Sequence, residues 1–124
     1  MEFTDKTFRN ILKENKTVRD CYFDGCVFEN CKFIDCVFAD CVFSECKFIE
    51  CSVVNLQPNN TSMAFSSFVK CQLIDIQWGK LQAGIISFPI EKLENCFLKY
   101  NVFDKMSFKK FNFNQSSVTE SSFD

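Results

Sequence analysis

The hydrophobic positions of this chain recur every five residues. From residue 21 the sequence reads CYFDG CVFEN CKFID CVFAD CVFSE CKFIE CSVVN, with Cys at the first position of each unit and Phe at the third, until Val53 replaces it. Cys71 and Cys96 keep this register, and 14 of the 17 Phe share the third-position column. A period of five fits neither the helical period of about 3.6, nor strand alternation, nor a coiled coil.

A solenoid accounts for the period, because each unit can form one straight side of a coil with one small and one large apolar residue pointing inward. The second position then points outward, and the last two positions form the corner. Corner pairs such as Asp24-Gly25 and Glu29-Asn30 have the residue types that turns favour. The pattern therefore predicts short strands, tight corners and a core of Cys and Phe.

This pattern resembles the pentapeptide-repeat family, strongly over residues 18–78 and moderately over 96–123. Ser66-Ser67-Phe68 and the segment from Cys71 to Trp78 are also similar to a bacterial subgroup of that family. The resemblance implies an all-β fold, a right-handed quadrilateral parallel β-helix with twenty residues per coil and about six coils. It also implies a distant similarity to quinolone-resistance pentapeptide-repeat proteins.

A chain of 124 residues fits a single domain, 1–124. We expect an N-terminal cap at 1–17, where lysines occupy inward columns, regular coils at 18–78, a break or loop at 79–95, and final coils at 96–124. Pro58 lacks an N–H and predicts a local distortion or bulge. The register is expected to resume in phase at Leu98, one coil beyond Trp78.

The nine cysteines are interpreted as small apolar core residues. Stacked coils would bring Cys pairs within disulfide range, but the odd count and a reducing compartment argue against bridges. A metal or iron–sulfur site would need buried thiolates, and the chain has no His and no Cys-x-x-Cys pair. A catalytic thiol would need a base. We therefore expect no metal, no cofactor and no catalytic residue.

Charge and hydropathy narrow the function classes further. The net charge of -2 argues against direct nucleic-acid binding and against a polybasic membrane surface. No apolar run approaches the roughly 18 residues of a membrane span, and the N-terminus does not resemble a signal peptide. The expected location is the cytoplasm.

Acidic residues cluster between Asp20 and Glu50, where seven carboxylates face only Lys32 and Lys47. In the family, quinolone-resistance members present a DNA-like anionic surface that binds DNA gyrase or another type II topoisomerase. The acidic corner residues are candidates for the same role, and turn chemistry with solubility is the competing explanation. These candidates are Asp20, Asp35, Asp40, Glu45 and Glu50.

A second candidate surface is apolar. The twenty-residue spacing places Ile34, Val54 and Ile74 at one outward column, and Ile49 and Val69 at the neighbouring one. Monomers normally avoid such contiguous exposed apolar residues. The stripe is either a protein-contact surface or the packing site of residues 79–92.

The leading functional hypothesis is a non-catalytic protein-binding or scaffold module, because no enzymatic constellation is present and Phe fills the interior. The alternative is a DNA-mimic regulator of DNA gyrase or another type II topoisomerase. The last unit stops midway at Phe123-Asp124. This predicts either a fragment or a homodimer through the C-terminal coil, of which the homodimer is favoured.

Overall fold

A computed structural model describes residues 1–81, 90–103, 111 and 113–123 of the chain. The described strands are short and parallel, and each lies within positions two to four of a five-residue unit. The fifth position is left-handed after every described strand, from Asp5 at φ 53° to Glu120 at φ 47°, with Gly25 at φ 64°, whereas Lys80 lies in a 3-10 helix (Trp78–Lys80). A left-handed residue after each strand turns the chain sharply, so every unit ends in a corner.

The strands wind into successive turns of a four-sided coil. The first turn holds β1 (Glu2–Thr4), β2 (Thr7–Arg9), β3 (Leu12–Glu14) and β4 (Thr17–Arg19). The second holds β5 (Tyr22–Asp24), β6 (Val27–Glu29), β7 (Lys32–Ile34) and β8 (Val37–Ala39). The third holds β9 (Val42–Ser44), β10 (Lys47–Ile49), β11 (Ser52–Val54) and β12 (Gln57–Asn59).

Later turns contain β13 (Ser67–Val69), β14 (Gln72–Ile74), a 3-10 helix (Trp78–Lys80), β15 (Lys92–Glu94), β16 (Phe97–Lys99), β17 (Phe113–Asn114) and β18 (Ser117–Thr119).

Equivalent strands of successive turns pair into four parallel sheets, one per face. Face A is β1-β5-β9 and face D is β4-β8-β12. Face B is β2-β6-β10-β13-β15-β17, and face C is β3-β7-β11-β14-β16-β18. Faces B and C each contain six described strands, so five turns of the coil lead from the first strand of each face to the last. The predicted quadrilateral parallel β-helix is confirmed.

The core is built from the first and third positions. Phe28, Phe48 and Phe68 stack along face B with ring centroids 4.7 Å apart, and Phe23 stacks on Phe43 at 4.7 Å. Both predicted columns are confirmed. This spacing matches the distance of about 4.8 Å between paired strands, so the rings stay in contact along the axis.

One turn is longer than the sequence predicts. Leu98 pairs with Leu73 rather than lying one coil beyond Trp78, so the expectation for Leu98 was wrong. Gln77 bridges Val102, and the Trp78 ring stacks on Phe103 with centroids 6.1 Å apart. This turn takes twenty-five residues instead of twenty, since Ser67 pairs with Lys92. Five extra residues are one repeat, so the column register cannot reveal them.

Regular strands occur in two segments for which the sequence predicted a cap and a break. Residues 2–14 of the expected cap form β1–β3, regular sides of the first turn. β15 lies within the expected break at 79–95, while residues 82–89 lie outside the described part. Pro58 pairs in register with Phe38 and forms no bulge, contrary to expectation. β12 is the outermost strand of face D, where a missing N–H leaves no ladder bond unfilled.

Candidate partner surface

The interior offers no room for a ligand in the part of the chain that is described. Phe, Leu, Val and Met side chains fill it, leaving a void of about 10 Å³ among residues including Phe33, Phe38 and Met63. That volume is about one water probe sphere. Among the described residues, no group of three or more His, Cys, Asp or Glu side chains is placed to hold a metal. Any ligand or partner of the described coils would therefore have to bind at their outer surface.

The first-position column has a polar role that sequence reasoning missed. Each buried thiol donates to two carbonyls, as Cys46 does to Phe23 and Ser44, both at 3.5 Å. Thr61 and Ser66 replace Cys in the same column and donate to the corresponding carbonyls of Phe38 and Phe43 at 2.7 and 3.0 Å. The sequence held a signal for this role, because Cys, Thr and Ser all carry a side-chain hydrogen-bond donor. Small donors therefore fill much of this column, although the buried aliphatic residues Leu56 and Ile76 also occupy it.

Burial raises the pKa of the Cys31 and Cys41 thiols. Burial raises the pKa of the Cys46 thiol to about 12. Hydrogen bonding to the neighbouring thiols of Cys51 and Cys96, together with burial, raises the pKa of Cys71. All nine cysteines are free. A hydrogen bond with Cys71 instead lowers the pKa of Cys51 and Cys96. A thiolate, the form needed for nucleophilic attack or metal binding, is therefore disfavoured at the thiols whose pKa is raised.

The five acidic candidates all lie at left-handed corner positions, but on different corners. Asp20 and Asp40 share the corner between faces D and A, whereas Asp35, Glu45 and Glu50 occupy three others. Asn60 donates to Asp40 at 2.7 Å and Asn55 donates to Asp35 at 2.9 Å. The structure thus distributes the acids around the coil rather than gathering them on one face.

The apolar candidates form continuous columns. Val54 pairs with Ile34 below and Ile74 above, at position four of face C, and we call these three residues the face C stripe. Ile49 pairs with Val69 at position four of face B. All five side chains are half-buried. Face C also carries exposed Leu12 and Phe97, at 59% and 41%.

Comparison with known proteins agrees with this geometry. A family model for pentapeptide repeats matches residues 21–55 in eight copies. Residues 21–55 belong to the pentapeptide-repeat family. No curated protein matches the chain in sequence. Within residues 21–55, the Cys and Phe columns described above are therefore the repeat units of this family.

Solved structures share the fold. Full-length QnrB1, described as a plasmid-mediated fluoroquinolone resistance protein, aligns over 98% of this chain and 71% of its own, with 16% identity and a TM-score of 0.51. Two trypsin-treated forms of QnrB1 align with 16% and 14% identity and TM-scores of 0.36 and 0.35, over 98% and 99% of this chain and 83% and 70% of theirs. At 16% identity, the full-length match shows only that the two chains share a fold, the pentapeptide-repeat β-helix.

No helix among the described residues is long and apolar enough to cross a membrane.

Proposed function

We propose that this chain is a non-catalytic protein-binding module built on a rigid β-helix. One observation carries the proposal: the interior is filled, while the face C stripe places three half-buried aliphatic side chains in register on the outer surface. Paired strands fix the spacing of Ile34, Val54 and Ile74, so a partner would meet a preformed apolar ridge. Preformed surfaces bind with little ordering cost.

The test compares two aspartate substitutions in the same turn. Val54→Asp changes the face C stripe, and Val42→Asp changes an exposed valine on the opposite face A. We expect affinity capture from the source cell to lose a partner with Val54→Asp and to keep it with Val42→Asp, with both variants folded by circular dichroism. Unfolding by Val54→Asp alone would instead identify the stripe as covered core.

A DNA-mimic regulator of DNA gyrase or another type II topoisomerase is the second candidate. It is favoured by the fold shared with QnrB1 and by the outward carboxylates of Asp20, Asp35, Asp40, Glu45 and Glu50. The test is a gyrase supercoiling assay with and without a quinolone. Inhibition or protection that weakens when Asp20, Asp35 and Asp40 become Asn would support mimicry. No effect at micromolar protein would remove it.

We propose the cytoplasm as the setting, supported by the nine free cysteines. The predicted homodimer through the C-terminal coil stays a prediction, because residues 104–110, 112 and 124 lie outside the described part. Sedimentation velocity would test it: we expect a dimer, and a monomer at all concentrations would contradict it.

A further inference from the structure

We infer that the face C stripe binds a basic amphipathic α-helix lying along the axis of the β-helix. This inference rests on the proposed binding function and names the chemistry of its partner. The stripe is Ile34, Val54 and Ile74, and its neighbouring corner column is Asp35, Asn55 and Asp75. An apolar column bordered by carboxylates matches a helix with an apolar stripe bordered by Lys or Arg.

Spacing favours a helix over an extended partner. Side chains of the stripe repeat about every 4.8 Å, so its first and third members are about 9.6 Å apart. A helix places residues i, i+3 or i+4, and i+7 on one face, with i and i+7 about 10.5 Å apart. A strand places i and i+4 about 13 Å apart. The mismatch is about 1 Å for the helix and more than 3 Å for the strand.

The corner carboxylates beside the stripe have no cationic partner in the part of the chain that is described. Asp35 accepts a hydrogen bond from Asn55 at 2.9 Å, and Asn55 in turn accepts from Gln57 at 2.8 Å. This arrangement holds Asp35 in place without neutralising it. Neither Asp35 nor Asp75 takes part in an ion pair with a described residue. Their spacing of about 9.6 Å matches cations at i and i+7.

The remaining charges leave the surface acidic. Glu14 also lies on face C, and Glu120 lies on the Asp35 corner column. Lys13, Lys32 and Lys99 are the cations of face C, and Lys99, which pairs with Ile74 at the end of the stripe, is 3.8 Å from Glu120. Four carboxylates therefore face three lysines, one of which is already paired. An incoming cation is favoured over an incoming anion.

The same charges disfavour a second copy of this chain as the occupant. A two-fold axis through Val54 and parallel to the strands reverses the order of the turns, so Asp35 of one copy would meet Asp75 of the other. Like charges brought together at an interface are unfavourable. Self-pairing about this axis would therefore oppose carboxylates on both sides of it.

The test uses two labelled synthetic 18-residue peptides with leucine on one face and lysine or glutamate on the other. Fluorescence anisotropy should show binding of the Leu/Lys peptide, at least about tenfold tighter than the Leu/Glu peptide, and weakening as salt rises. Val54→Asp should abolish binding, whereas Val42→Asp should leave it intact. Asp35→Asn and Asp75→Asn should each weaken it about two- to fivefold.

The matched charge control is Asp20→Asn with Asp40→Asn, which removes two carboxylates from the distant corner between faces D and A. Equal loss from this control would show that only net charge matters and would overturn the inference, as would equal binding of the two peptides. No binding at about 100 µM protein would also overturn it, while Val54-dependent partner capture would still support the module. Dimerisation lost with Val54→Asp would identify a second copy as the occupant instead.

Discussion

At the residue scale, the first position of many units carries a hydrogen-bond donor inside an apolar wall. Cys46 is 1% exposed and donates to the carbonyls of Phe23 and Ser44. In the next turn, the Ser66 hydroxyl donates to the Phe43 carbonyl and accepts from the Cys46 N–H at 3.3 Å. Cys and Ser are therefore interchangeable in geometry, whereas an aliphatic residue of similar size lacks the donor.

We expect Cys46→Ser to change the free energy of unfolding by less than about 1 kcal/mol. Cys46→Val should lower it by about 2 kcal/mol, because it removes the donor and adds volume in a packed column. Urea unfolding followed by circular dichroism measures both. If the valine variant were as stable as wild type, volume rather than hydrogen bonding would define this position.

The protonated thiols make stability depend on alkaline pH. Burial raises the pKa of Cys46 from 9.0 to about 12, so the unfolded thiol ionises first as pH rises. The native state then holds more protons, and the free energy of unfolding falls as pH rises from about 9 towards 12. Urea midpoints at pH 8 and 10.5 should show this fall. Cys46→Ser should reduce it, and an unchanged slope would contradict the assignment to Cys46.

The left-handed corner is the second residue-scale constraint. Glu45 has φ 54°, a conformation that costs most L-residues about 1–2 kcal/mol and that Asn tolerates better. Glu45→Asn should raise the free energy of unfolding by about 0.5–1 kcal/mol, measured by urea titration. Lys47→Asn is the control, because Lys47 lies in strand β10 and Asn is a poor strand former. Destabilisation by Glu45→Asn would contradict the corner argument.

At the element scale, the sequence predicted the strands well and the length of one turn poorly. Hydrophobic columns with a period of five identify each side and its inward residues, as for Phe48 over Phe28. They do not count the sides in a turn, because twenty and twenty-five are both multiples of five. β15 was missed for another reason: Glu91 stands where a small residue is expected, although Leu93 is fully buried.

For the candidate surface, the sequence likewise predicted the column positions but not the side-chain contacts. Pairing of Val54 with Ile34 and Ile74 was predictable, since these residues are twenty apart within the regular turns. The side-chain hydrogen bonds at the corners were not predictable, because Asn55 can donate to Asp35 only when its side chain adopts a suitable rotamer. Column position is a property of the period, whereas side-chain orientation depends on neighbours in adjacent turns.

A buried polar pair spans the long turn. The Trp78 Nε1 donates to Asn101 Oδ1 at 3.1 Å, and Asn101 Nδ2 donates to the Leu73 carbonyl at 2.9 Å. Asn101 is 1% exposed. Asn101→Ala would leave the indole N–H without this acceptor and open a cavity, so the free energy of unfolding should fall by about 3 kcal/mol.

Urea unfolding measures this loss, and emission of Trp78, the single tryptophan of the chain, reports the local change. Trp78→Phe is the matched variant, because it removes the donor and keeps an aromatic ring. In a double-mutant cycle, Asn101→Ala should cost less in the Trp78→Phe background than in wild type. Strictly additive losses would show that the hydrogen bond does not couple the two turns.

At the scale of the whole molecule, the stack of turns is protected most at its middle. Phe3, Phe8 and Val18 of the first turn are only half-buried and Lys13 is exposed, whereas Phe43 and Phe48 of the third turn are at most 2% exposed. Each turn contacts only its neighbours, so solenoids open from the less stabilised turns inward. Nine cysteines spread along the axis report this order directly.

Thiol labelling of the native protein should therefore count one fast cysteine and eight slow ones. Cys21 is half-buried and the other eight are buried. Cys21→Ser should remove the fast phase, and nine thiols should react in concentrated urea. In pulsed alkylation at intermediate urea, read by mass spectrometry, Cys26 should be labelled before Cys46 and Cys51, because opening spreads from the first turn. Simultaneous labelling of all eight slow thiols would show that the coil opens as one cooperative unit instead.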